Sequence, residues 1–306
     1  MSTKTIEGFS ALDRGNKAHR EKDFAKAIVL FNSAIDSYSK AEQNENTKKN
    51  IEVAKNNLSI AWNDTGLAEL NTNNIKEAIT AFKNATEQNP NSLAAHYNLG
   101  LAYEKGKDLD NAIVAYKSSL ALMPKSDTAK VIETHCKIIE CTQQQKDTNA
   151  SHTVLKDAYQ CVSGVEKEAL QPSANKVNFI LEQYGKSCIS VNVKDSKEID
   201  SIENLYKSVN PSKTLWSVLR DDMYAQYTDK SGGQKAETLK LLVDGLLKQC
   251  GYLAKNDKDA GVLEGMKTAA GLLASQLPDH TDLVHKISSA ESCEALVPVL
   301  GAVDIA

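Results

Sequence analysis

The sequence predicts an all-α fold, a right-handed superhelix of stacked helical hairpins, and three observations carry that prediction. A glycine, an alanine, an aromatic and a small residue recur with gaps of 12, 4 and 3 at Gly15–Ala27–Phe31–Ala34, Gly66–Ala78–Phe82–Ala85 and Gly100–Ala112–Tyr116–Ser119. The second and third copies keep a register of 34 residues at every landmark, from Trp62 and His96 to Pro90 and Pro124. A period of that length belongs to a two-helix unit that cannot bury its apolar face alone and stacks on neighbours. Only six prolines and an aromatic content of 6% fit a helical chain better than one of many short strands.

Each element has a packing reason. Gly15, Gly66 and Gly100 let the first helix of a hairpin approach its partner, and Ala27, Ala78 and Ala112 do the same from the second helix. Phe31, Phe82 and Tyr116 lie four residues later on that same face and fill the space between. Asn73-Asn74 and Gly106-Lys107-Asp108 supply turns between paired helices. Pro90 and Pro124 close the second helices, because proline disfavours helix in the residue before it. From Gly15 to Gly66 the spacing is 51 residues, an excess of 17 over the period. Ile51, Ala54, Leu58, Ala61 and Thr65 hold helical spacing through the excess, so it is expected to lengthen two helices by about eight residues each, or roughly 12 Å at 1.5 Å per residue.

The third copy, Leu-Ala-Ala-His-Tyr-Asn-Leu-Gly-Leu-Ala-Tyr from Leu93 to Tyr103 followed by Asp-Leu-Asp-Asn-Ala-Ile-Val-Ala-Tyr to Tyr116, closely resembles the tetratricopeptide repeat. The second copy departs from that pattern with Thr65 and Glu69 where leucine and tyrosine are usual, and the first keeps Gly15-Asn16-Lys17-Ala18. The stretched first hairpin resembles the repeat domain of large immunophilins. Family members that bind chaperone tails hold a C-terminal carboxylate with Lys and Asn on the first helix, Asn on the third, and Lys and Arg on the fifth. Those places here carry Leu12, Asn16, Asp64, Ala94 and Asn98, so the resemblance does not extend to carboxylate binding: the cations are missing and Asp64 repels an anion.

The resemblance implies instead a concave groove lined by the first helix of each repeat, which takes a segment of another protein. Its candidate residues are Leu12 and Asn16 in copy one, Asn63, Asp64 and Leu67 in copy two, and Tyr97, Asn98, Leu101 and Lys105 in copy three. Asp13, His19, Arg20 and Asn71 lie on the same inward positions. Leu67, Tyr97 and Leu101 are the apolar anchors, and the asparagines are expected to bond a peptide backbone.

Domain organisation is expected as three repeats over residues 1–125 and a helical region over 126–306. Helices are anticipated at about 128–144, 150–169, 172–188, 196–209, 211–228, 233–254, 258–276, 281–291 and 292–301. Taken in pairs they begin near 128, 172, 212 and 258, a spacing suited to degenerate hairpins extending the solenoid or to a docked bundle. Chemistry finds little footing. His135-Cys136 and Cys141 share a predicted helix, but neighbours on a helix point about 100° apart, too far for a nucleophile and its base. His280 and His285 lack the spacing of metal ligands on a helix. Ser231-Gly232-Gly233-Gln234-Lys235 is not a phosphate loop, and the amphipathic Ala236–Leu253 reads as a core helix.

A net charge of −4 gives no drive toward nucleic acid. No run of about 18 apolar residues is present for a membrane span, and Met1 to Gly8 hold no signal-like apolar core. Six cysteines without a zinc or disulfide pattern are expected as reduced, mostly buried thiols in a cytoplasmic protein. The function expected is thus a non-enzymatic adaptor that needs no cofactor or metal. The alternatives are a targeting module joined to a helical ligand-binding or enzymatic region, and a bacterial secretion chaperone or host-directed effector.

Overall fold

The computed structural model describes residues 2–145, 148–190, 196–210 and 281–290, with a few single positions beyond. Every regular element among them is helical. The chain divides into two compact units, Met1–Lys146 and Asp147–Ala306.

In the first unit seven helices follow one another: α1 (Thr3–Arg20), α2 (Phe24–Ser39), α3 (Glu45–Asn71), α4 (Ile75–Gln88), α5 (Leu93–Lys105), α6 (Leu109–Leu122) and α7 (Thr128–Gln144). They form hairpins α1–α2, α3–α4 and α5–α6, stacked through α2 on α3, α4 on α5 and α6 on α7. Glycine sets the approach inside each hairpin. A Cβ on Gly15, Gly66 or Gly100 would stand 2.6–2.7 Å from the ring of Phe31, Phe82 or Tyr116, closer than a side chain tolerates. Those rings and Ala27, Ala78 and Ala112 are buried.

The first hairpin carries a fourth such pair that the repeat ruler does not contain. Gly8 sits seven residues before Gly15, Tyr38 seven after Phe31, and a Cβ on Gly8 would lie 2.6 Å from Cε1 of Tyr38. Because antiparallel helices diverge in sequence from their turn, equal seven-residue steps in opposite directions bring the same faces together again. Phe9 packs its ring against Tyr38 edge-on at 5.7 Å.

The excess of 17 residues is not shared equally, contrary to the expectation of two similarly lengthened helices. α3 has 27 residues against 13 in α5, and α2 has 16 against 14 in α4. The one residue left over lies in the connection before α3. The reason is burial: Ile51 and Ala54 of the added turns pack against Ala11, Ala34 and Tyr38, while Leu58 and Ala61 pack against Ala18, Ala27 and Phe31. Asn44 starts the long helix by accepting from the backbone N–H of Thr47, whose hydroxyl donates to Glu42 O at 2.8 Å.

The paired-helix turns share one geometry. Lys22, Asn73 and Lys107 adopt φ of 61°, 62° and 63°. The next residue donates back to Ala18 O, Glu69 O or Tyr103 O, and the left-handed residue itself donates to His19 O, Leu70 O or Glu104 O. This is the Schellman closure. Gly106 is not its left-handed residue; it ends α5 with φ −76°. Asn89 and Met123, each before a proline, are extended as expected.

α7 belongs to the first unit and packs on α6, so the anticipated boundary at 125/126 falls between two helices in contact. The pairing that begins near 128 joins helices of separate units. In the second unit α8 (Thr148–Ser163) packs on α10 (Ala174–Ser190), which meets α11 (Ser196–Val209). The helix anticipated over 150–169 breaks at Gly164, after which come a single turn α9 (Lys167–Leu170) and a 3-10 turn at Gln171–Ser173 that takes in Pro172. A further helix covers Thr281–Ser289. The core here includes Val177, Ile180, Leu181, Tyr184 and Tyr206. The segments anticipated as helices at 211–228, 233–254, 258–276 and 292–301, and with them the Ser231 loop and Ala236–Leu253, lie outside the described residues apart from a few single positions.

Candidate functional site

The first helices of the hairpins are joined side to side by polar bonds at the positions where the sequence places the groove. From α1 to α3, Asn57 Nδ2 donates to Asn16 Oδ1 at 2.9 Å and His19 Nε2 lies 2.8 Å from Asp64 Oδ2. From α3 to α5, Asn98 Nδ2 donates to Asn63 Oδ1 at 2.9 Å. From α5 to α7, Tyr97 Oη donates to Glu133 Oε1 at 3.2 Å and Lys137 pairs with Glu104 at 3.2 Å. α7 therefore stands where the first helix of a fourth repeat would stand, although its sequence follows no repeat pattern.

Helical periodicity then locates the open face. At 100° per residue, Asn57 and Asp64 occupy the edge of α3 toward α1, and Asn63 the edge toward α5. Between these edges runs a column spaced by seven residues, Val53, Ile60 and Leu67, with relative exposures of 42%, 43% and 36%. Ala94, Leu101 and Lys105 continue the face on α5. Phe9, Asp13 and Arg20 carry it on α1.

The predicted residues fall into two groups on this surface. Leu67 and Lys105 are exposed, and Leu101 is half-buried beside them. Asn16, Asn63, Asp64 and Asn98 spend part of their bonding capacity on one another or on Asn57 and His19. Leu12 is not a free wall of the groove, since it packs against the cores of the first hairpin. Tyr97 is half-buried, its ring 5.5 Å from that of Tyr116, and burial with the neighbouring Glu133 carboxylate pushes its phenol up to about 12. Asp64 has His19 as its neighbour rather than a cation-rich clamp.

Val53, Ile60, Asn56, Asn57 and Glu133 were missed by position-matching to the repeat. Their signal was available: stepping back from Leu67 by seven gives Ile60 and Val53. A cavity of about 320 Å3 opens between α5 and α7, lined by Leu93, Ala94, Tyr97, Asn98, Met123, Lys130, Glu133 and Thr134. Lys130 at its edge is paired with Asp127 at 2.8 Å.

The residues weighed for chemistry sit differently. His135, Cys136 and Cys141 are buried in α7, and burial pushes the Cys141 thiol up to about 11, the reverse of nucleophile activation. Cys141 and Cys161 are free thiols and Cys188 is buried, while Cys250 and Cys293 lie outside the described residues. His285 is exposed on the helix Thr281–Ser289, and His280 lies outside the described residues. Among the described residues, no group of three His, Cys, Asp or Glu side chains could hold a metal ion, and no helix is long and apolar enough to cross a membrane.

Hairpins closed by glycine against an aromatic ring and joined into one inner face define an α-helical repeat scaffold. Residues 63–127 match the family model of the tetratricopeptide repeat, a repeat that in general serves as a scaffold for protein interaction. A search of curated proteins finds no match. Among solved structures, one of nearly identical TPR-like repeats from a Podosopora anserina protein described as a kinesin light chain is 10% identical, with a TM-score of 0.34, covering 69% of this chain and 100% of that one. A substituted form of the same protein gives 10% identity and a TM-score of 0.34, covering 73% of this chain and 99% of that one. Similarity at that level carries nothing about function.

Proposed function

We propose that this chain is an adaptor that holds a segment of another protein on the inner face formed by α1, α3 and α5. The observation that carries the reading is the apolar lane through that face: Val53, Ile60 and Leu67 are exposed, with Leu101 half-buried beside them and polar bonds between helices on either side. An exposed aliphatic lane rimmed by polar groups is what a partner desolvates, whereas scattered apolar residues need no partner. A single segment would bind in the micromolar range, about −8 kcal/mol. The tail-carboxylate mode is not part of this reading, because Asp64 and Ala94 stand where a clamp needs uncharged and cationic groups. Catalysis and cofactors are not part of it either. The free thiols support a reducing, cytoplasmic setting.

The test is affinity capture from native lysate with the full chain and with a Leu101→Ser/Lys105→Ala double variant of unchanged thermal midpoint. Partners retained by the parent and lost by the variant are the expected result. Equal capture by both would move the site off this face.

A further inference from the structure

The cavity of about 320 Å3 between α5 and α7 has a size and a chemistry that define an occupant. An apolar cavity of about 150 Å3 takes one benzene, and ligand sites begin near 300 Å3. Twice the benzene volume holds an aromatic ring with its stem, or the double ring of an indole. Leu93, Ala94 and Met123 supply apolar wall. The Tyr97 ring and the Met123 thioether are groups against which a further ring packs well, edge to face and sulfur to ring.

A relay of hydrogen bonds sets the polar end of the cavity. The Asp64 carboxylate only accepts. His19 Nε2 lies 2.8 Å from one of its oxygens, and Asn63 Nδ2 donates to the other at 3.5 Å, a long bond that still orients the amide. Asn63 therefore turns its Oδ1 toward α5, where Asn98 Nδ2 donates to it at 2.9 Å. Asn98 is left with its carbonyl, and among the described residues nothing donates to that Oδ1. Asn98 also lines the cavity, so the relay ends there as an acceptor.

The other polar groups of the wall spend their protons inside the protein. Tyr97 Oη donates to Glu133 Oε1, and the Thr134 hydroxyl donates to Lys130 O at 2.8 Å. The Lys130 ammonium stands 2.8 Å from Asp127 on a side chain that is 66% exposed. Glu133 keeps its negative charge and repels an anion. A cation drawn by Glu133 would meet Lys130 one turn away and lose its water against Leu93 and Met123. The walls favour a neutral aromatic group that gives one hydrogen bond.

We propose that this cavity seats a donor-bearing aromatic side chain, tryptophan or tyrosine, of the partner segment, with its N–H or O–H given to Asn98 Oδ1. The cavity is continuous with the inner face, since the exposed Ala94 belongs to both. A ring entering there stays joined to a main chain that runs over α5. This rests on the adaptor reading and names the residue that anchors its ligand.

Blocked amino-acid amides test the assignment on the full chain by saturation-transfer NMR titration. N-acetyltryptophanamide and N-acetyltyrosinamide should bind saturably in the millimolar range. The phenylalanine amide should bind about five-fold more weakly, for the hydrogen bond it cannot make, and the leucine and lysine amides more weakly still. Asn98→Leu should lower the tryptophan and tyrosine amides to the level of phenylalanine and leave phenylalanine unchanged. Ala94→Phe, at an exposed wall position, should fill the mouth and abolish binding of all of them, with an unchanged circular dichroism spectrum and thermal midpoint.

Absence of saturable binding, or binding indifferent to Ala94→Phe, would overturn the proposal. Equal binding of the phenylalanine amide would remove the role of Asn98, and equal binding of the lysine amide would make the site one for cations; either result sinks it. If the probes bind as expected but Ala94→Phe captures every native partner that the parent captures, the cavity serves a free aromatic molecule and the proposed occupant is wrong. Loss of native partners with Leu101→Ser/Lys105→Ala, together with no probe binding to the parent, would sink this inference and leave the adaptor reading standing.

Discussion

Tyr38 shows how a single residue can serve packing at the expense of its own chemistry. Its ring closes the first hairpin against Gly8 and is fully buried, but its hydroxyl has no hydrogen-bond partner. Burial accordingly raises the phenol's pKa. Tyr116, in the equivalent role of the third hairpin, donates to Glu104 at 2.6 Å, and Glu104 is held in turn by Lys137. The contrast yields a prediction. Tyr38→Phe removes an unsatisfied buried donor while keeping the ring, and should raise the unfolding free energy by about 1 kcal/mol, read as a higher urea midpoint at unchanged slope. A loss of stability would mean that the hydroxyl has a partner after all. The Gly15, Phe31, Gly66, Phe82, Gly100 and Tyr116 contacts were legible in the sequence because steric need fixes residue size at each. The bonds among Asn16, Asn57, Asn63, Asn98, His19 and Asp64 were not, since an amide serves equally well toward solvent, ligand or neighbour.

At the scale of elements, the helix-closing turns repeat one backbone solution with an unhelpful residue. Lys22 and Lys107 hold a left-handed conformation that costs a residue with a Cβ roughly 1–2 kcal/mol, a cost glycine avoids while losing more chain entropy on folding. Lys22→Gly combined with Lys107→Gly should therefore stabilise the chain by about 1 kcal/mol, measurable as a rise of several degrees in thermal midpoint. No rise would indicate that these lysine side chains contribute packing the turn geometry does not reveal. The existence and order of helices through Leu122 followed from the 34-residue register and from Pro90 and Pro124. The unequal division of the insertion did not, because Ile51, Ala54 and Leu58 hold helical spacing whether one helix grows or two. What decided it was the buried surface that Ala11, Ala34 and Tyr38 offer only to α3.

For the whole molecule, the boundary of the first unit at Lys146 rather than near Pro124 has a physical source. α6 leaves an apolar flank that α7 covers with Ile132, Ile138, Ile139 and Cys141, all buried, and a terminal repeat needs such a cover. α7 carries no repeat landmark, so periodicity alone stopped one helix too soon. A fragment of residues 1–146 should fold by itself, with helical circular dichroism and one cooperative unfolding transition. A fragment that is collapsed but binds hydrophobic dye would show that the remaining residues complete its core. The doubled length of α3 has a further bearing on how such a chain could grow. Its first turns cover α1 and α2 but extend past α4, whose end bonds Ser59 and Asn56. The overhang turns Lys48, Glu52 and Lys55 outward where the next hairpin does not reach. Copying this hairpin in tandem would bury those charges against apolar helices, whereas modules of ordinary size can be added beyond α4 without that cost.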